Sequence, residues 1–332
     1  MFALVRLIAL VCVLLNPAAV MGQAAAMEPA ATSSDVVLAW NAIAVATVAS
    51  QNPFAQARFL SITQLAVFEA VNAITGDFQP YLGTIGAPSG ASADAAAVAA
   101  AHAVLTHYFA GTAAALDAAF VSSLAAILDG SAKTDGVATG ESAAAAMIAL
   151  RENDGSAPPA FKLPGAPVPG EWQLTPSCPA AGGVLFHWKD VKPFGIASAA
   201  DFLPDPPPSL TSNRYTKDYL EVMTVGSQNS TARPQDRADV ARFYAVSSPS
   251  MLLNSAARQV AFAQGRSLSE NARALALLNM AVSDSFVASV TAKYHYNFWR
   301  PETAIRAGDT DGNAKTDPDT TFAPFIVTPC FP

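Results

Sequence analysis

The chain has 332 residues, 52% of them hydrophobic and 14% charged, with a formal net charge of −7 at neutral pH. That length suits one large domain or two ordinary ones, and a core of that size needs no disulfide staple. An acidic chain with no basic block is a poor partner for nucleic acid or an anionic membrane surface, so neither is expected.

The first residues read as an export signal. Arg6 precedes LIALVCVLL (Leu7 to Leu15), and small residues suited to cleavage follow. Nine apolar residues are too few for a spanning helix. The expectation is a signal peptide over 1–26, a secreted or periplasmic protein, and no stable membrane span once the signal is removed. Cys12 leaves with that signal. Cys178 and Cys330 remain, both in Pro-rich loops. Export permits a bond between them, but spacing does not decide it. With no Cys-x-x-Cys pair or Cys/His cluster, no metal centre built from these residues is expected.

Helical patterns then dominate. Apolar, Ala-rich runs over 33–50, 54–74, 91–109, 112–128 and 135–154 predict helices that pack closely through small side chains. No stretch alternates long enough for a sheet. Between Asp154 and Ser212, Pro and Gly crowd in, and Trp172, Phe186 and Trp188 stand among them. A flexible linker rarely carries such aromatics, so this segment is expected to lie ordered over the helices. Helices resume over 216–226, 233–246 and 248–265. A last, largely apolar helix is expected from the Ser267/Glu270 capping box to Trp299, ended by Pro301.

On that helix, at about 100° per residue, Leu275, Val282, Phe286 and Arg300 fall within about 20° of Lys293. Both cations therefore share the inward stripe, while Asp284 lies opposite. A buried cation without an anion costs several kcal/mol, roughly. Three readings stand at this point: a distant carboxylate forming a structural ion pair, Lys293 reaching out to water along its stem, or a bound oxyanion held by an ammonium and a guanidinium fork. The third expects a concavity lined by Phe286 and by Tyr296 or Asn297.

The run KYHYNFWRP resembles the first oxyanion-pocket motif of the vanadium-dependent haloperoxidases and type 2 phosphatidic acid phosphatases: Lys, six residues, Arg-Pro, matched by Lys293, Arg300 and Pro301. VLAWNAI, RFLSITQLAVFEAVNAI, LRENDGS, HWKDVKPF and DTDGN are similar to the bacterial haloperoxidase-like branch, so the resemblance covers nearly the whole mature chain. It implies an all-α helical bundle over 27–332. It also implies that Lys293 and Arg300 bind the oxygens of vanadate, or of phosphate in the phosphatase relatives, and that Phe331 lines a halide pocket. The implied reaction is peroxide-dependent halide oxidation. The alternatives are phosphomonoester hydrolysis on the same scaffold and a non-catalytic helical protein. By family, the partners are a small oxyanion, peroxide, and a halide or phosphoester.

Relatives carry a second motif, Pro-Ser-Gly-His, and a third, Ser-Arg followed by a histidine. The sequence contains neither and closes on FAPFIVTPCFP, with Cys330 where proline is usual. The expectation is a bundle incomplete at its C-terminus, without catalytic or metal-ligating histidines, inactive and holding vanadate at most weakly. Phe286, Tyr296 and Phe298 are then expected to be exposed, promoting self-association. His102, His107, His187 and His295 are read as surface or packing residues, DTDGN as a polar turn, and Glu69 and Asp284 as partners for arginines.

Overall fold

A computed structural model describes residues 35–332, so the signal peptide expected over 1–26 lies outside the described residues. Among these residues the backbone forms ten α-helices, and its only β pairing is three isolated bridges. The all-α expectation holds. Each helix start follows from local chemistry. Asp35 caps α1 (Val36–Val48) by accepting from the Val37 and Leu38 amides. Asn52 does the same for α2 (Pro53–Thr75), whose first residue is proline and whose end is closed by left-handed Gly76.

α2 runs through the centre of the bundle. Leu60, Ile62, Leu65, Ala66 and Ala70 are almost wholly buried, because α2 is enclosed by α3 (Ala93–Tyr108), α5 (Ser131–Arg151) and α9 (Leu268–Tyr296). α4 (Ala113–Ala125) packs on α3, while α8 (Pro249–Gln264) packs on α1, α2 and α9. The Ala- and Gly-rich sequence has a direct consequence here. A methyl group on Gly140 of α5 would lie 2.3 Å from the Ala96 carbonyl of α3, and one on Gly136 would lie 2.3 Å from that of Ser92. Gly140→Ala is therefore expected to destabilise the protein by about 1–3 kcal/mol through overpacking. On an uncrowded helix the same change would stabilise by about 1 kcal/mol. The sign of the shift in urea unfolding decides between the two.

α9 begins with the expected capping box of Ser267 and Glu270. Its end differs from expectation. The helix stops at Tyr296, where Asn297 turns left-handed (φ 48°) and donates to the Lys293 carbonyl. Pro301 opens α10 (Pro301–Arg306), with Arg300 extended ahead of it (φ −78°, ψ 151°). Proline restricts the residue before it to extended backbone, which suits a helix start as well as a helix stop. α9 is long and apolar enough to cross a bilayer; here it packs against α2 and α8.

The segment from Asp154 to Ser212 is irregular, with short 3-10 turns at Phe186–Asp190 and Ala199–Phe202 laid on α9. Trp172 and Trp188 are buried beneath it. Asp284 of α9 anchors this wrap by accepting the amides of Phe194, Gly195 and Ile196. Glu69 likewise accepts the Tyr81 amide at 2.5 Å. The expectation that Glu69 and Asp284 pair with arginines is corrected. Irregular chain crossing a helix surface brings free N–H groups that need acceptors. The buried arginines Arg58 and Arg151 use Asp154 instead.

Three residues expected to be exposed are partly covered by other segments. Phe286 packs on Phe54 at 4.6 Å, the Tyr296 hydroxyl donates to the Pro204 carbonyl, and Phe298 meets Tyr215 edge to face. Exposed apolar side chains gather elsewhere: Val240, Phe243, Tyr244 and Val246 on α7 (Gln235–Val246), and Val260 and Phe262 on α8.

Candidate oxyanion site

Lys293 stands on the last turn of α9, and Arg300 lies beyond the Asn297 turn, in the link to α10 (Pro301–Arg306). A helical wheel continued to Arg300 is therefore not its true geometry. The wrap sets the link instead: the Trp172 amide donates to the Asn297 carbonyl (2.8 Å) and the Trp299 amide to that of Gly170 (2.9 Å). The two cations nevertheless converge. Lys293 Nζ lies 4.5 Å from the Phe331 ring centroid, and Arg300 Cζ lies 4.7 Å from the same centroid. Of the expected lining residues, Phe286 joins the apolar cluster that Phe331 packs against, while Tyr296 reaches Pro204 and Asn297 forms the turn.

Among the described residues neither cation has a carboxylate within ion-pair distance. Arg300 Nε donates to the Phe331 carbonyl at 2.5 Å, and its Nη2 is buried without a partner. Burial, and then the neighbouring Arg300 charge, pull the Lys293 ammonium below the usual lysine range. Burial pulls Arg300 down to about 10, so it stays charged at neutral pH. Burial pushes the Tyr294 hydroxyl up, with Arg300 opposing. Two half-buried cations without a carboxylate, one with an unpartnered guanidinium Nη2, suit a small oxyanion.

Phe331 owes its place to the tail that carries it. A disulfide joins Cys330 to Cys178 in the wrap, with 5.1 Å between their Cα atoms. The Val184 amide donates to the Cys330 carbonyl (2.8 Å), Ser177 Oγ to the Thr328 carbonyl (2.8 Å), and Thr328 Oγ1 to Glu302 (2.6 Å). Beneath lie Phe54, Trp188, Val287, Val290 and Tyr294. Spacing left the cysteine pairing open. It also gave no sign that one ring would face both cations, since Phe331 lies 31 residues beyond Arg300 and further still from Lys293.

The four histidines lie apart from the site. His102 pairs with Asp117 at 2.8 Å, His107 packs on Tyr108, and His295 is exposed against Tyr296. His187 accepts the Ala160 amide, and burial lowers its pKa. Asp311, in DTDGN, accepts from the Asn313 amide and the Thr316 hydroxyl, which makes this loop the expected polar turn. Among the described residues no three His, Cys, Asp or Glu side chains are placed to share a metal ion.

Residues 273–332, which contain Lys293, Arg300 and Phe331, match the family model described as the VCPO second helical-bundle domain. The crystal structure of the first bacterial vanadium-dependent iodoperoxidase superposes with a TM-score of 0.68 at 23% identity, over 90% of this chain and 75% of that one. The fold is that of the vanadium-dependent haloperoxidases. Apo and holo structures of a bacterial vanadium-dependent chloroperoxidase superpose with TM-scores of 0.59, at 16% and 17% identity. They cover 77% and 78% of this chain, which spans 65% of the chloroperoxidase in each case. Comparison with the curated proteins returned no match. The Lys293…Arg300-Pro301 segment lies within the region that the family model matches.

Proposed function

We propose that Lys293 and Arg300 form the cationic part of an oxyanion site of the haloperoxidase kind, with vanadate as its ligand. The observation that carries this reading is the convergence of two half-buried cations, neither with a carboxylate partner, on one aromatic ring. Arg300 would direct its free Nη2 to one oxygen of the anion, and Lys293 its ammonium to another. Bound vanadate would supply Lewis-acid activation of peroxide for halide oxidation. The donor set fits the anion's oxygens only. The sequence's four histidines lie outside the site, so no ligation or proton-transfer step is assigned to this chain. The same half-site fits phosphate, but the solved structures of like fold named above are haloperoxidases, which favours vanadate. Export is part of the proposal, supported by the N-terminal signal pattern and by a disulfide suited to an oxidising compartment.

Vanadate titration by calorimetry tests the reading. Arg300→Ala and Lys293→Ala should each weaken binding roughly ten- to a hundredfold, the worth of a hydrogen bond to a charged group. Arg300→Lys should fall between, since the planar fork is lost and the charge kept. Salt should weaken the complex. Binding should also fade as pH rises through the lowered Lys293 pKa, because the ammonium form is the one that binds. The 332-residue polypeptide should not turn over bromide and peroxide. Attraction alone stabilises ground and transition states alike. Turnover abolished by Lys293→Ala, or vanadate affinity unchanged in both alanine variants, would overturn the assignment.

A further inference from the structure

The disulfide and the cation pair meet at Phe331. Cys330 is bonded to Cys178, and the next residue turns its ring to Lys293 and Arg300 and its carbonyl to Arg300 Nε. In this arrangement Phe331 supplies what an anion would otherwise supply. Its π face answers both positive charges, and its carbonyl takes one guanidinium N–H. An oxyanion arriving at the pair competes with those contacts.

We propose that the Cys178–Cys330 disulfide is a positioning device that holds Phe331 as a cap over the cation pair, so that opening the bond uncovers Lys293 and Arg300 and strengthens oxyanion binding. The inference rests on the oxyanion reading above and adds the residues that set access to it. The covalent link is the decisive restraint because the others are non-covalent: the hydrogen bonds of Val184 to Cys330, Ser177 to Thr328, Thr328 to Glu302 and Arg300 to Phe331, and the packing of Phe331 on the apolar cluster beneath it. Each of these breaks and reforms independently, whereas the disulfide keeps Cys330 beside Cys178 throughout. A dithiol opens it by exchange. Two electrons and two protons pass to the sulfurs of Cys178 and Cys330, and the dithiol becomes a cyclic disulfide. Uncapped, the pair keeps its charges and loses its substitute partner. Lys293, now nearer water, should also become more accessible to a water-borne reagent.

The test uses the full chain, oxidised or reduced with dithiothreitol, beside Cys330→Ser and oxidised Phe331→Ala. Two quantities are read: vanadate affinity, and the rate at which an N-hydroxysuccinimide ester acylates Lys293, followed by peptide mass spectrometry. Reduction and Cys330→Ser should each speed Lys293 acylation several-fold. They should also tighten vanadate about tenfold, the scale of the cation–π contacts no longer displaced. Phe331→Ala keeps the disulfide, so it guards against general loosening of the fold. It should reproduce most of both effects while oxidised, and reduction should then add only the smaller gain from releasing the residue-331 carbonyl from Arg300 Nε. Unchanged acylation on reduction overturns the cap, as does weaker vanadate binding by oxidised Phe331→Ala, which would make the ring a wall of the site. Acylation that follows the disulfide without vanadate binding in any state keeps the cap and overturns the oxyanion reading.

Discussion

Asp154→Ala is expected to destabilise the protein by about 3–5 kcal/mol, the scale for removing one partner of a buried ion pair. Asp154 Oδ2 lies 2.7 Å from Arg58 Nε and 3.1 Å from Arg151, and the three side chains are at most 7% exposed. Without the carboxylate, two guanidinium groups stay buried with no anion and repel each other. Burial already pulls Arg151 below the usual arginine range against the opposing pull of Asp154. The arginines also hold backbone: Arg58 donates to the Arg151 carbonyl, and Arg151 to the carbonyls of Lys192 and Pro193. The damage should therefore spread from the helix ends into the wrap. The pH dependence follows from the sign of the shift. Burial raises the Asp154 pKa, but Arg58, Ser156 and Arg151 outweigh it and the net shift is downward. Its contribution is present above the unfolded value of about 3.9 and is lost as pH falls through the folded value. Urea unfolding is the measurement, and a loss below about 1 kcal/mol, the worth of an exposed pair, would refute this account.

Asp284→Ala should cost roughly 3 kcal/mol, since a buried donor left bare costs about 1–3 kcal/mol and three amides lose one acceptor. Phe194 is the most buried of the three, while Gly195 and Ile196 have some access to water that softens their loss. The effect should be local first. Hydrogen exchange at these amides should accelerate, and protease should cut the wrap before the bundle unfolds. Asp284→Asn, which keeps one acceptor oxygen, should recover part of the protection. Unchanged exchange at Phe194, Gly195 and Ile196 in Asp284→Ala would show that the wrap is held by its aromatic contacts alone.

The oxyanion site shows where sequence reading stops. Lys293 and Arg300 both lie against the Phe331 ring, yet the helical wheel that paired them runs past the true end of α9. Asn297 breaks the helix by turning left-handed, and the wrap pins the link through Trp172 and Gly170. The Lys…Arg-Pro motif outlasts that error because it records a spacing along the chain, whatever path the backbone takes between the two cations. Glu69 and Asp284 fail in the opposite sense. Their burial is legible, but their partners are backbone amides, which every residue except proline carries and no sequence pattern marks.

By itself the sequence determined most of the helices, the capping box of α9, the inward burial of α9, the close packing of the Ala-rich helices, and the ordered character of the aromatic-rich wrap. These follow from the propensities of adjacent residues, the 3.6-residue period and the size of the side chains, all of which are local. Only the tertiary structure decided which acid answers which arginine, that Cys178 meets Cys330 across 152 residues, and that Phe331 faces both cations. Apart from Arg151–Asp154, three residues apart, each of those contacts joins segments distant in sequence. Its geometry is set by how packed elements bring their ends together, and no local preference encodes that.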